Sequence, residues 1–164
     1  MGYTTEFTGG FNIVPRLAAE HRIYLSAFAD VRHIMRDENK LVNSPDDIRK
    51  AVGLPVGEEG QYYVADSHDE SVIDYNKPPA GCPELYCQWV PNDIGDGLVW
   101  DGIEKFYRYV EWLEYLIGHF LRPWNYSVNG VVEWIGEDKT DTGTICVDNN
   151  IIVVIPNKKT EEQQ

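Results

Sequence analysis

Apolar and polar positions change their period several times along this chain. Over residues 3–14, Tyr3, Thr5 and Phe7, then Phe11 and Ile13, alternate with polar neighbours, which predicts a strand, or two short ones bent at Gly9-Gly10. From Leu17 to Met35 the spacing lengthens: Leu17, His21, Tyr24, Phe28, Val31 and Met35 fall on one face of a helix. Ser44-Pro45-Asp46-Asp47 reads as the start of a short helix with Ser44 as its N-cap, ended by Gly53 and Pro55. Gln61 to Ala65 reads as a strand, and residues 66–83 as a long polar loop of the kind that carries function or moves.

Leu85 to Val90 and Leu98 to Trp100 predict a hairpin across the turn-forming segment Pro91 to Gly97. Asp101-Gly102-Ile103-Glu104 has the form of a capping box, so a long helix is expected from there to about Leu121, before Pro123. Beyond Tyr126 the period returns to two, through Val131, Glu133 and Ile135, then Ile145 and Val147, then Ile151 to Ile155. Asn129-Gly130 and Asn149-Asn150 carry the signature of hairpin turns, and Glu137 to Gly143 that of a polar turn.

Strands joined by short turns, with two long helices between them, predict an α+β fold: an antiparallel sheet of about six strands with both helices on one face. A ferredoxin-like split arrangement with added strands fits this order. The length of 164 residues predicts one domain over 1–156, followed by a flexible tail over 157–164.

Charge divides the chain unevenly. The total is −13, yet residues 1–54 are neutral, 55–100 carry −8 and 101–164 carry −5. This balance disfavours nucleic acid and anionic membranes as partners. No stretch approaches the length of a membrane span and the N-terminus has no signal-peptide profile, so a cytoplasmic, non-membrane protein is expected.

Most catalytic signatures are missing. Neither a Walker-type phosphate loop nor a dinucleotide-binding glycine motif occurs. Cys82, Cys87 and Cys146 form no C-x-x-C pair, which points to free buried thiols rather than disulfides or structural zinc. Asp66, His68, Asp69 and Glu70 lack a metal-binding spacing, and Glu111 with Glu114 reads as surface ion pairing. No catalytic residue, metal ligand or cofactor is assigned.

Two features remain. Arg22, Arg32, His33 and Arg36 lie on the polar side of the predicted first helix, where guanidinium groups could bind phosphate or carboxylate in bidentate fashion. The alternative is that they pair with the chain's own acidic middle segment. The second is a surplus of amphipathic rings between residues 86 and 124, among them Trp89, Tyr107, Trp112 and Tyr115. Part of that surplus belongs in the core, and the remainder suits a pocket or an interface.

The run from Trp100 to Ile117, WDGIEKFYRYVEWLEYLI, is distinctive, as are Asn129-Gly130-Val131-Val132-Glu133-Trp134, Asp141-Thr142-Gly143, Thr8-Gly9-Gly10-Phe11-Asn12 and Cys87-Gln88-Trp89-Val90-Pro91. Together they resemble a family of small uncharacterised proteins found in bacterial and phage genomes. That resemblance implies no activity, cofactor or site residue. It implies a context in which small proteins act as inhibitors or sponges of host factors.

The leading expectation is a non-enzymatic binding protein that takes an anionic small molecule, such as a nucleotide-type signal, or a host partner protein. Homo-oligomers are compatible with the aromatic surplus. The alternatives are an acidic mimic of nucleic acid that occupies a DNA-binding protein, and a small hydrolase using Cys87 or His119.

Overall fold

A computed structural model describes residues 2–157; the expected tail from 158 onward lies outside the described residues. The fold is α+β, and the chain forms two compact units. Among the described residues, one comprises 2–17 together with 88–157, and the other comprises Ala18–Cys87.

The first unit is built on a six-stranded sheet in which every neighbouring pair is antiparallel. Its strands are β1 (Thr5–Val14), β4 (Trp89–Pro91), β5 (Gly97–Trp100), β6 (Ser127–Gly136), β7 (Thr142–Asp148) and β8 (Ile151–Pro156). The spatial order is β4-β5-β1-β6-β7-β8. The chain passes from β1 to β4 across β5, and from β5 to β6 across β1. Strands β7 and β8 form a hairpin at one edge.

Alternation decides which face is covered. Phe7, Phe11 and Ile13 of β1, Val128 and Val132 of β6, and Ile145 and Val147 of β7 are buried on one face. Over that side runs the helix α4 (Tyr109–Leu116), which packs on β4 and continues as a π-helical turn over Ile117–Leu121 that packs on β6. The π geometry shows in the bond from the Arg122 amide to the Ile117 carbonyl, five residues back.

Helix α4 begins at Tyr109, not near Asp101. Asp101 turns its carboxylate to the Ile103 amide at 2.9 Å, an Asx turn that competes with helix formation, and Gly102, Lys105 and Arg108 all take positive φ. The Ile103 carbonyl accepts from the Trp100 indole at 3.1 Å and the Glu104 carbonyl from the Gln88 side chain at 3.2 Å, which ties this segment to the β4–β5 hairpin.

Asn129-Gly130 is not a turn either. It lies inside β6, opposite Asn12 and Phe11 of β1. Gly130 is needed there because strand β1 approaches closely: a Cβ would stand 2.9 Å from the Gly10 carbonyl oxygen. Asn149-Asn150 does form the β7–β8 turn, with φ of 46° and 70°.

The second unit has α1 (Ala19–Asp30), a two-stranded ribbon of β2 (Met35–Arg36) with β3 (Val72–Asp74), and the short helices α2 (Glu38–Leu41) and α3 (Asp47–Ala51). Tyr24, Leu25, Phe28, Leu41, Tyr63 and Val64 are buried in it. Asp46, not Ser44, caps α3: its carboxylate faces the Arg49 amide and, at 3.1 Å, the Arg49 guanidinium, and takes the Val64 amide at 3.2 Å. The expected strand over 61–65 is absent; the Tyr63 amide bonds back to the Gly60 carbonyl in a turn. The loop 66–83, in turn, contains β3.

Helix α1 ends five residues earlier than the apolar spacing predicts. Beyond Asp30 the backbone is extended, and the His33 and Met35 amides bond to the carbonyls of Leu85 and Lys77. Two distant segments thus take the donors that a further helical turn would have used.

Candidate functional site

Ending α1 at Asp30 disperses the arginines. Arg22 remains on α1, partly exposed. Arg36 lies on β2 and is only 4% exposed. Its guanidinium donates to the Ser67 carbonyl at 2.6 Å and the Ser71 hydroxyl at 3.0 Å, approaches Asp69 at 3.8 Å, and lies over the Tyr63 ring. These contacts fasten β2 to the 66–83 loop, so Arg36 serves the fold.

His33 is also buried. Its Nε2 lies 2.7 Å from the Phe28 carbonyl oxygen. A carbonyl only accepts, so Nε2 carries the proton and satisfies one of the carbonyls left open at the end of α1. Burial lowers the pKa of this imidazole to about 4, while the bond to Phe28 acts in the opposite direction. The ring is neutral at pH 7 and supplies no charge to a ligand.

Arg32 has a different setting, beside two half-exposed tyrosines. Its Nε donates to the Tyr75 carbonyl at 3.0 Å and its Nη2 to Asn76 Oδ1 at 3.2 Å. The guanidinium carbon stands 4.4 Å from the centre of the Tyr75 ring and 5.6 Å from that of Tyr86, within cation–π range of both. Its Nη1 lies 3.4 Å from the Tyr86 hydroxyl. Tyr75 and Tyr86 are each 43% exposed. His68 lies against Tyr75, with ring centres 5.1 Å apart.

The loop is shaped to hold this arrangement. At the end of β3, the Asp74 carboxylate accepts the Asn76 amide at 2.9 Å, an Asx turn that presents the Tyr75 carbonyl and the Asn76 side chain to Arg32. No carboxylate among the described residues forms an ion pair with Arg32; the paired cations are Arg36, Lys40, Arg49 and Arg108. The chain carries −13, yet this guanidinium has no ion-pair partner among the described residues. Its neighbours use three of five N–H donors.

The aromatic candidates lie in the other unit, and three of the four are buried. Trp89 donates its indole N–H to the Tyr109 carbonyl at 2.8 Å and meets Phe7, Phe11 and Phe106 edge-on. Trp112 and Tyr115 are packed edge to face. Tyr107 is exposed, and its hydroxyl accepts from the Tyr3 amide at 3.0 Å. The surplus of rings is largely consumed by the core of the sheet unit, which is assembled from T-shaped pairs.

Cys87 is fully buried, Cys82 nearly so, and Cys146 partly exposed. His119 stacks on Tyr115 with ring centres 4.0 Å apart, and burial lowers its pKa. Among the described residues no group of three or more His, Cys, Asp or Glu is placed to hold a metal ion. No helix in them is long and apolar enough to cross a membrane.

Arg32 was legible in the sequence and His68 stood out among its acidic neighbours, whereas Tyr75 and Asn76 were marked only by the length of the loop that carries them. Comparison with protein-family models, curated proteins and solved structures finds no match for this chain.

Proposed function

We propose that this chain is a non-enzymatic binding protein that holds an anionic group at Arg32, on a small molecule such as a nucleotide or on a partner protein. One observation carries the reading: a guanidinium fixed between two half-exposed tyrosines, with no carboxylate partner among the described residues. Tyrosine and arginine are the side chains that dominate recognition surfaces, and a prepositioned guanidinium loses little freedom on binding.

A hydrogen bond to a charged group contributes about 1.5–3 kcal/mol, so Arg32→Ala should weaken anion binding by about tenfold to a hundredfold. The test is thermal denaturation with a panel of nucleotides and with inorganic phosphate. A nucleotide that raises the melting temperature of the native chain, with the rise lost in Arg32→Ala, supports the reading. If no nucleotide or phosphate shifts the transition, the small-molecule form is rejected. The partner-protein form then stands or falls on whether Tyr75→Ala and Tyr86→Ala remove proteins that co-purify with the native chain.

A further inference from the structure

We infer that β8 is a self-association surface, and that two copies pair along it as antiparallel strands about Val153. The observations come from the sheet unit and are independent of Arg32. Strand β8 forms one edge of the sheet. The opposite edge, β4, is three residues long and ends in Pro91, which has no N–H to offer. β8 is six residues long, and Ile151, Val153 and Ile155 are 62%, 51% and 50% exposed. With Val131 and Ile135 of β6, also exposed, they lie on the face of the sheet opposite its buried side.

The two-residue turn at Asn149-Asn150 sets which backbone groups point outward. Asp148 and Ile151 flank it as a hydrogen-bonded pair, and pairing then alternates through Val153 and Ile155. The Asn157 amide, bonded to the Thr142 carbonyl at 2.8 Å, keeps that alternation. The amides and carbonyls of Ile152 and Val154 therefore face away from β7. A two-fold axis at Val153 sets Ile152 of each copy opposite Val154 of the other. All four outward amides are satisfied in that register, and Val153 meets Val153 on the open face with Ile151 beside Ile155. Shifting the axis to Val154 keeps four bonds but moves Ile151 opposite Asn157, so the apolar pairs favour Val153.

Charge selects the occupant. The chain carries −13, yet residues 149–157 hold no charged side chain, so two copies meet there without repulsion at the seam. An uncharged seam also offers nothing specific to a cationic peptide. Area sets the strength. A six-residue strand is roughly 20 Å long, and an edge contact of that length covers less than the about 1,200–2,000 Å² of a stable complex. The dimer is therefore weak and concentration-dependent.

Sedimentation velocity on the full chain from about 5 to 500 μM tests this, at concentrations that bracket a micromolar dissociation constant. The expected result is a shift from 18.8 kDa toward twice that mass, with Ile152 and Val154 amides becoming slower to exchange as concentration rises. Val154→Pro removes an outward donor without breaking a bond to β7, and Val153→Lys sets two like charges on the axis. Both variants should remain monomeric with an unchanged circular dichroism spectrum. A native chain that stays monomeric throughout overturns the proposal, including one that stays monomeric but binds an added apolar strand peptide. So does a dimer that survives both substitutions. Neither outcome bears on anion binding at Arg32, which is read by a separate titration.

Discussion

Asp46 is 3% exposed and Arg49 5%, and the two form a buried ion pair within α3. Asp46→Ala removes the 3.1 Å contact to the Arg49 guanidinium, the acceptor for the Val64 amide and the cap of α3, and it leaves a buried cation unpaired. Breaking a buried pair from one side costs about 3–5 kcal/mol, a large part of the about 5–15 kcal/mol that holds a domain folded. Arg49 keeps one bond, to the Leu54 carbonyl at 2.6 Å, which places the expected cost toward the lower end. Urea unfolding followed by far-ultraviolet circular dichroism gives the total. Every tryptophan lies outside residues 18–87, so indole fluorescence reports the sheet unit, while exchange of the His33 amide, bonded to the Leu85 carbonyl and untouched by the substitution, reports the unit that holds Asp46. The double variant Asp46→Ala with Arg49→Met removes the stranded charge and should be more stable than Asp46→Ala alone. A loss below about 1 kcal/mol in the single variant, or a double variant less stable than the single, refutes the reasoning.

Further outcomes follow from the same structure. His33 is neutral when folded, with a pKa near 4 against an ordinary 6.5. The unfolded chain therefore takes up the proton first: stability is complete above pH 7, falls by about 3 kcal/mol as pH drops from 6.5 to 4, and then levels for this group. Denaturant midpoints for the native chain and His33→Gln across that range should converge toward acid pH; parallel curves would contradict it. Gly143 of β7 lies opposite Trp134, whose ring occupies the space a Cβ would need. Gly143→Ala should displace that ring and cost about 1–3 kcal/mol by overpacking, with a changed near-ultraviolet spectrum; an unaltered melting temperature would count against the packing. Gly130→Ala should be similarly costly, because the obstruction is backbone rather than a movable side chain.

Legibility in the sequence followed the range of the interactions. Alternation in β1, β6 and β7 was plain because one face is covered, and Asn149-Asn150 marked its turn because both residues adopt the positive φ such a turn needs. The end of α1 was not visible, since the amides that stop it bond to Lys77 and Leu85, more than forty residues away. The false capping box at Asp101 has the same cause in part: its carboxylate serves an Asx turn, and Trp100 and Gln88 hold the following carbonyls. Asn129-Gly130 mimicked a hairpin turn because glycine answers two needs, and here the need is close approach of β1. At the site, Arg32 stood out as a basic residue in an acidic chain, but Tyr75 and Asn76 come from a loop whose course no periodicity reveals, and Tyr86 from a segment that reads as a strand and precedes β4.

In the proposed function, Arg32 is the group that holds an anion. Arginine Nε–H resonances followed while a nucleoside diphosphate is titrated into the native chain test this most directly. A saturable shift is expected at Arg32 and none at Arg36, whose guanidinium is buried against Ser67 and Ser71. An Arg32 signal that does not move, or one that drifts without saturating alongside the exposed arginines, would contradict it.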